Sequence, residues 1–167
     1  KKLTEDIKKL PWVDSVVSIL NVPLLKSPSV SFSELKKDPI TLGSPKADIE
    51  LAKKEFVESP LYRNYIVSQD LKSTAIQVNY PWNEKFFRLV TARNDFFNKE
   101  HDGTLTPADR IEMEKINREY FDYREELRMQ FHENVKEIRA LIKKYNEDGS
   151  LFLGGVPMIS DDMITFV

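Results

Sequence analysis

The chain has 167 residues, enough for one domain with a real core or a small core carrying a helical extension. Lys and Arg number 25 against 27 Asp and Glu, a net charge of -2 that supplies neither the basic footprint of a nucleic-acid binder nor a polybasic patch for anionic lipid. It contains no Cys, which removes disulfides, thiolate metal sites and cysteine nucleophiles while leaving the redox compartment open, and no run of 18 apolar residues.

From the N-terminus, Leu3, Ile7 and Leu10 share a helix face that Pro11 stops, and Val13, Val16, Val17 and Ile19 predict a strand within Trp12 to Leu20. Residues Asn21 to Gly43 hold Pro23, Pro28 and Pro39 and several Ser, the composition of an irregular loop. Loops beyond about 12 to 15 residues are generally functional or disordered. The apolar Leu24, Leu25, Val30, Phe32, Leu35 and Ile40 predict that this one is ordered and faces a partner. Ser44-Pro45 predicts a helix over Lys46 to Glu58, with the serine capping free amides and the ring suiting the first turn. The runs Tyr62 to Gln69 and Ser73 to Tyr80, parted by the polar Asp70 to Lys72, predict a β-hairpin.

The second half reads as two helical arms, Trp82 to Lys99 and Thr106-Pro107 to Tyr145. Thr106 caps the second arm and Asp109 favours the positive end of its dipole. Its apolar stripe includes Ile116, Tyr120, Tyr123, Leu127, Phe131, Val135, Ile138 and Ile142. A rod of about 58 Å, at about 1.5 Å per residue, outreaches any small sheet, so the stripe must meet the first arm or another chain. After Asp148-Gly149, Ser150 to Val156 predicts a short strand before Pro157. The order suits an α+β layer, with a small sheet carrying helices on one face. Residues 1–81 and 146–167 would form that subdomain, and 82–145 a helical hairpin inserted into it.

Chemistry is sparse. His132-Glu133 begins a zinc-protease-like fragment, but Lys136 stands where the second imidazole belongs, leaving a half-exposed helix histidine; His101 sits in the acidic turn between the arms. No Gly-x-Ser-x-Gly elbow is present, and Gly154-Gly155 lacks the spacing of a phosphate loop. Asn98, Glu100, Asp102 and Gly103 match the opening of a calcium loop, yet its twelfth position is Asp109 where a bidentate Glu belongs, so a plain turn fits better. No catalytic, metal or cofactor site is assigned, and no enzyme activity is expected. Asp161-Asp162 reads as two acids in the first turn of a helix after Ser160 in preference to a functional dyad. Arg63, Arg88, Arg93 and Lys72 read as solvated surface charge, with contact to anionic head groups as the alternative.

Three blocks then bear on function: VDSVVSILNVPLL from Val13 to Leu25, SPLYRNYIVSQDLKSTAIQV from Ser59 to Val78, and NEDGSLFLGGVPMISDDMITFV from Asn146 to Val167. Their order and spacing resemble the large extracytoplasmic loop of RND-superfamily exporters, in the MMPL branch related to sterol-sensing transporters. The apolar, acidic C-terminal stretch and the amphipathic start without Met agree with a loop lying between two membrane helices. The resemblance implies a ferredoxin-like porter subdomain whose first strand would precede Lys1, leaving one exposed sheet edge where another chain can pair. It marks Gly154, Gly155, Pro157, Asp161 and Asp162 as family signature, and it puts the domain on the periplasmic side of the inner membrane. It also implies a proton-driven exporter with a hydrophobic or lipid-like substrate, the protein's own membrane helices and second extracytoplasmic loop as partners, and homo-oligomers; proton-carrying residues lie in membrane helices outside this sequence. Candidate substrate or subunit contacts are Leu24, Leu25, Phe32, Tyr62 and Tyr65. The alternative is a free-standing helical adaptor that dimerises through the Ile116 to Tyr145 stripe, and a calcium-responsive module comes third.

Overall fold

The computed structural model describes residues 1–26 and 39–165. Expectations that fall on Val30, Phe32 and Leu35 lie outside the described residues. The chain forms two compact units, Lys1–Pro81 and Trp82–Val167. Taken together they mix α and β, as expected at the level of class, with both strands in the first unit.

In the first unit, α1 (Lys2–Lys8) leads into β1 (Ser15–Ser18), which pairs antiparallel with β2 (Ile76–Asn79) in the register Val16 opposite Val78 and Ser18 opposite Ile76. Strand β1 falls within the predicted Trp12 to Leu20 but is shorter, and its burial alternates, with Val16 and Ser18 buried. The predicted hairpin is corrected here. Ile76–Asn79 pairs with β1, and residues 62–75 instead wind through a turn closed by one antiparallel bridge, Val67 to Thr74. Thr74 explains the turn's persistence, because its hydroxyl donates to the Ile66 carbonyl at 2.9 Å while the Ala75 amide donates to the same oxygen at 2.8 Å.

Helix α2 (Ile49–Glu58) begins later than Ser44-Pro45 predicted. Asp48 is the cap, accepting from the Leu51 amide at 3.0 Å, whereas Ser44 Oγ accepts from Thr41 N at 3.0 Å and holds a turn before the helix. Ala52 and Phe56 on its inner face join Val22, Leu24, Tyr62, Ile66 and Val67 in the core, with Val17, Ile19, Ile40 and Leu42 packed against them. Phe56 meets Tyr62 at a ring-centroid distance of 5.4 Å. Leu24 is 0 % exposed, and its amide donates to the Ile40 carbonyl at 2.7 Å.

The second unit begins with α3 (Glu84–His101) and α4 (Pro107–Lys143). Cross-links at Asn83–Tyr123, Phe86–Tyr120, Arg93–Asn117 and Lys99–Asp109 descend along one helix as they climb the other, the signature of an antiparallel hairpin. The turn between them is a Schellman motif: Gly103 at φ 68 allows Thr104 N to reach Lys99 O at 2.9 Å and Gly103 N to reach Glu100 O at 3.2 Å. Thr106 and Asp109 then close a capping box, with Asp109 N to Thr106 Oγ1 at 3.1 Å and Thr106 N to Asp109 Oδ2 at 2.9 Å. Lys99 Nζ at 2.8 Å, then the Thr106 hydroxyl at 2.6 Å and the Thr106 amide, hold the Asp109 carboxyl well below its ordinary range.

At about 1.5 Å per residue α3 spans roughly half the length of α4. The far half of α4 buries Val135, Ile138 and Leu141 and packs on α5 (Val156–Thr165). One expectation is overturned at this point, since Ser150 to Val156 contains no strand, and residues 146–165 fall in the same compact unit as 82–145. The physical reason is the length of the stripe: apolar residues on α4 beyond the reach of α3 require cover, and α5 supplies it.

Two outcomes test this packing. Phe56→Ala should lower the unfolding free energy by about 3–5 kcal/mol, read by urea titration, because it removes a large core side chain that is only 2 % exposed. Arg139→Ala should selectively lose amide-exchange protection over residues 156–163 while leaving α3 protected, since Arg139 bonds to α5 and not to α3.

Candidate functional site

An apolar groove of about 280 Å³ lies in the first unit, between α2 and the 66–74 turn. Ile19 and Leu42 come from loops after β1, Ile49 and Phe56 from α2, and Val67 and Leu71 from the turn. Lys53, Lys72, Ser73 and Thr74 provide its polar rim. The size sits at the lower edge of small-ligand pockets, which are usually apolar with a few placed polar groups. An adjoining depression of about 350 Å³ shares Val67, Ser73 and Thr74 and adds Asn64 and Tyr65.

The turn reaches this shape through local strain. Asn64 at φ 61 and Leu71 at φ 57 both occupy the left-handed region. Asn tolerates it, but a bulky Leu there is a genuine outlier worth on the order of 1–3 kcal/mol, and such outliers cluster at functional sites. What holds Leu71 in place is a net of short bonds. Asp70 Oδ1 accepts from Ser68 Oγ at 2.6 Å and from Lys72 N at 3.1 Å, while Ser73 N donates to Ser68 Oγ at 3.0 Å. The Ser68 and Lys72 donors hold the Asp70 carboxyl below its ordinary range. Leu71 and Ile49 remain largely exposed although both line an apolar depression.

The predicted contact residues divide. Leu24 and Tyr62 are interior, which corrects their assignment as surface contacts: the Tyr62 ring packs on Phe56 and its hydroxyl donates to the Pro23 carbonyl. Leu25 is half-buried, with its amide donating to Glu55 Oε1 at 2.7 Å while Lys26 N donates to Oε2 at 2.9 Å. The buried Glu55 carboxylate thus ties the chain to α2. Tyr65 is 61 % exposed at the rim of the second depression, its hydroxyl donating to Gln77. Phe32 lies outside the described residues. Sequence reasoning missed Ile19, Leu42, Ile49, Phe56 and Leu71 as groove residues; the one available signal was Ile49 and Leu71 standing as apolar residues among polar neighbours.

The signature residues lie in the second unit. Gly155, at φ 111, precedes α5 and Pro157 occupies its first turn, while Gly154 touches nothing within 4 Å of an added Cβ. Asp161 and Asp162 are not first-turn acids but lie midway along α5. Asp161 bonds to His132 Nδ1 and stands 3.7 Å from Arg139 Nη1, and Asp162 accepts from Arg139 Nη2 at 2.6 Å. The acidic pair therefore clasps α5 to α4. Among the described residues no group of three or more His, Asp or Glu is arranged to hold a metal, and no helix is long and apolar enough to cross a membrane. Arg63 and Lys72 belong to the first unit, Arg88 and Arg93 to α3, where Arg93 stacks over Tyr120 at 4.2 Å and donates to Asn117 at 2.7 Å.

Comparison with protein-family models, with curated proteins and with solved structures finds no match to this chain.

Tyr62 offers a titration test of the core beneath the groove. Burial and the neighbouring Glu55 carboxylate push its hydroxyl above the ordinary 10.0. A folded value raised in this way contributes stability below pH 10.0 that is lost as pH rises through the folded value, because only the unfolded chain deprotonates freely in that window. Tyr62→Phe should flatten the alkaline fall of the unfolding midpoint, and should cost about 1 kcal/mol at neutral pH because the Pro23 carbonyl loses its donor.

Proposed function

We propose that the chain is a non-enzymatic periplasmic porter domain of a proton-driven RND/MMPL-type exporter of the inner membrane, and that its groove engages a hydrophobic or lipid-like substrate. The observation that carries this reading is the meeting of two of the three resembling blocks. Val13 to Leu25 and Ser59 to Val78 are far apart in sequence, yet β1 pairs with β2, Tyr62 bonds to Pro23, and both blocks line one apolar groove. In this reading β1, β2 and α2 are part of a ferredoxin-like porter layer, the membrane helices and a second extracytoplasmic loop of the same transporter are its partners, and the transporter assembles as a homo-oligomer.

The adaptor alternative is disfavoured by a specific observation. Its dimer needs the α4 stripe, but that stripe is used within the chain: Tyr123 bonds to Asn83, Tyr120 meets Phe86, and Val135, Ile138 and Leu141 are buried. The calcium alternative fares no better, since the Asp109 carboxylate is already held by Thr106 and Lys99.

The reading frame around these residues tests the exporter: an apolar span of about 20 residues is expected on each side, and a frame with neither removes the proposal. The groove itself is tested by the uncharged dye N-phenyl-1-naphthylamine. Its fluorescence should rise with the wild-type chain and fail to rise with Leu71→Glu, which puts a charge on the apolar lip.

A further inference from the structure

The groove has a feature that a purely hydrophobic substrate leaves unused, which is the sign of its rim. Lys53 and Lys72 line it, and among the described residues no carboxylate does. Lys72 has no acidic partner among the described residues. Its sequence neighbour Asp70 directs Oδ1 to Ser68 Oγ and to the Lys72 amide, holding the turn instead of neutralising the ammonium. Lys53 does have a partner, Glu50 at 2.7 Å, but the Glu50 side chain is 82 % exposed and pairs of that kind contribute little against a competing anion. The remaining acid on the inner side of α2, Glu55, is buried and already accepts the Leu25 and Lys26 amides.

Lys53 and Lys72 thus line the same groove as the apolar Ile19, Leu42, Phe56 and Val67, beside a Leu71 whose left-handed backbone is fixed by the turn that also carries Lys72. Resting on the groove reading above, we infer that the site selects an anionic single-chain amphiphile, with its hydrocarbon on the Phe56–Val67 floor and its head group at the Lys53–Lys72 rim. A cationic head group would meet two like charges there. A neutral one would gain the floor alone.

The measurement is calorimetric titration, below the micelle concentration, of decanoate, decyl maltoside, decyltrimethylammonium and acetate into the 167-residue chain and into Lys53→Gln, Lys72→Gln and the double variant, with amide shifts mapping the site. The rim predicts that decanoate binds about tenfold or more tighter than decyl maltoside, that the cationic amphiphile binds weakest, and that acetate alone does not bind detectably. In the double variant decanoate and decyl maltoside should become equivalent while decyl maltoside is unchanged, and shifts should centre on Ile19, Phe56 and Leu71. Equal affinity for decanoate and decyl maltoside in the wild type overturns the head-group inference while the groove reading stands. A preference that survives in the double variant, or acetate binding as tightly as decanoate, overturns it too. Absence of binding by all three amphiphiles overturns the groove reading along with it.

Discussion

Residues 1–81 face one constraint from which the rest of that unit follows: two four-residue strands and two helices cannot satisfy the backbone of a mostly irregular chain. Buried amides and carbonyls without partners are costly, so side chains must serve them. Glu55 takes the Leu25 and Lys26 amides, Asn21 accepts from Ser18 N at 2.7 Å and donates to Val16 O at 2.6 Å, Tyr62 serves Pro23, and Thr74 serves Ile66. Each of these groups fixes a loop against the Phe56 core. The groove is the space left between loops so fixed, which is why its walls come from four separate stretches of chain.

The helical unit answers a different constraint with simpler means. A stripe of apolar residues along 37 residues of α4 must be covered, and an 18-residue α3 cannot reach all of it. Helix α5 completes the cover, and the acidic pair Asp161-Asp162 fixes its docking through His132 and Arg139. Charge here decides placement more than stability. Arg139 is only half-covered and such pairs are individually modest, but two acids facing two bases about two turns apart select one register of α5 on α4.

A porter reading therefore depends on the first unit, which holds the groove with Ile49 and Leu71 exposed at it; the second unit also exposes apolar side chains, Phe152 and Ile111 among them. The strain at Leu71 fits that division: the turn holds an apolar side chain at the lip at a conformational cost, and the bonds from Asp70 and Ser68 are what maintain it. Lys72, the next residue, is carried to the same lip by the same turn.

The sequence by itself determined the elements whose signals are local. Thr106-Pro107 with Asp109 marks the start of α4, its three-and-four spacing marks the length, Asp102-Gly103 marks the turn, and the β-rich run holding Val13, Val16, Val17 and Ile19 marks β1. Tertiary structure alone decided the partners. Ile76–Asn79 pairs with β1 and not with its sequence neighbour, because the left-handed Asn64 and Leu71 bend the intervening turn away from a hairpin ladder. Ser150 to Val156 reads as a strand, yet residues 150–155 are irregular and lead into α5, whose acids find His132 and Arg139 and whose packing covers α4. Leu24 and Tyr62 looked available as contacts, since composition cannot distinguish an apolar residue that closes a core from one that faces a ligand. That distinction requires knowing which residues distant in sequence, Phe56 and Glu55 above all, lie beneath them.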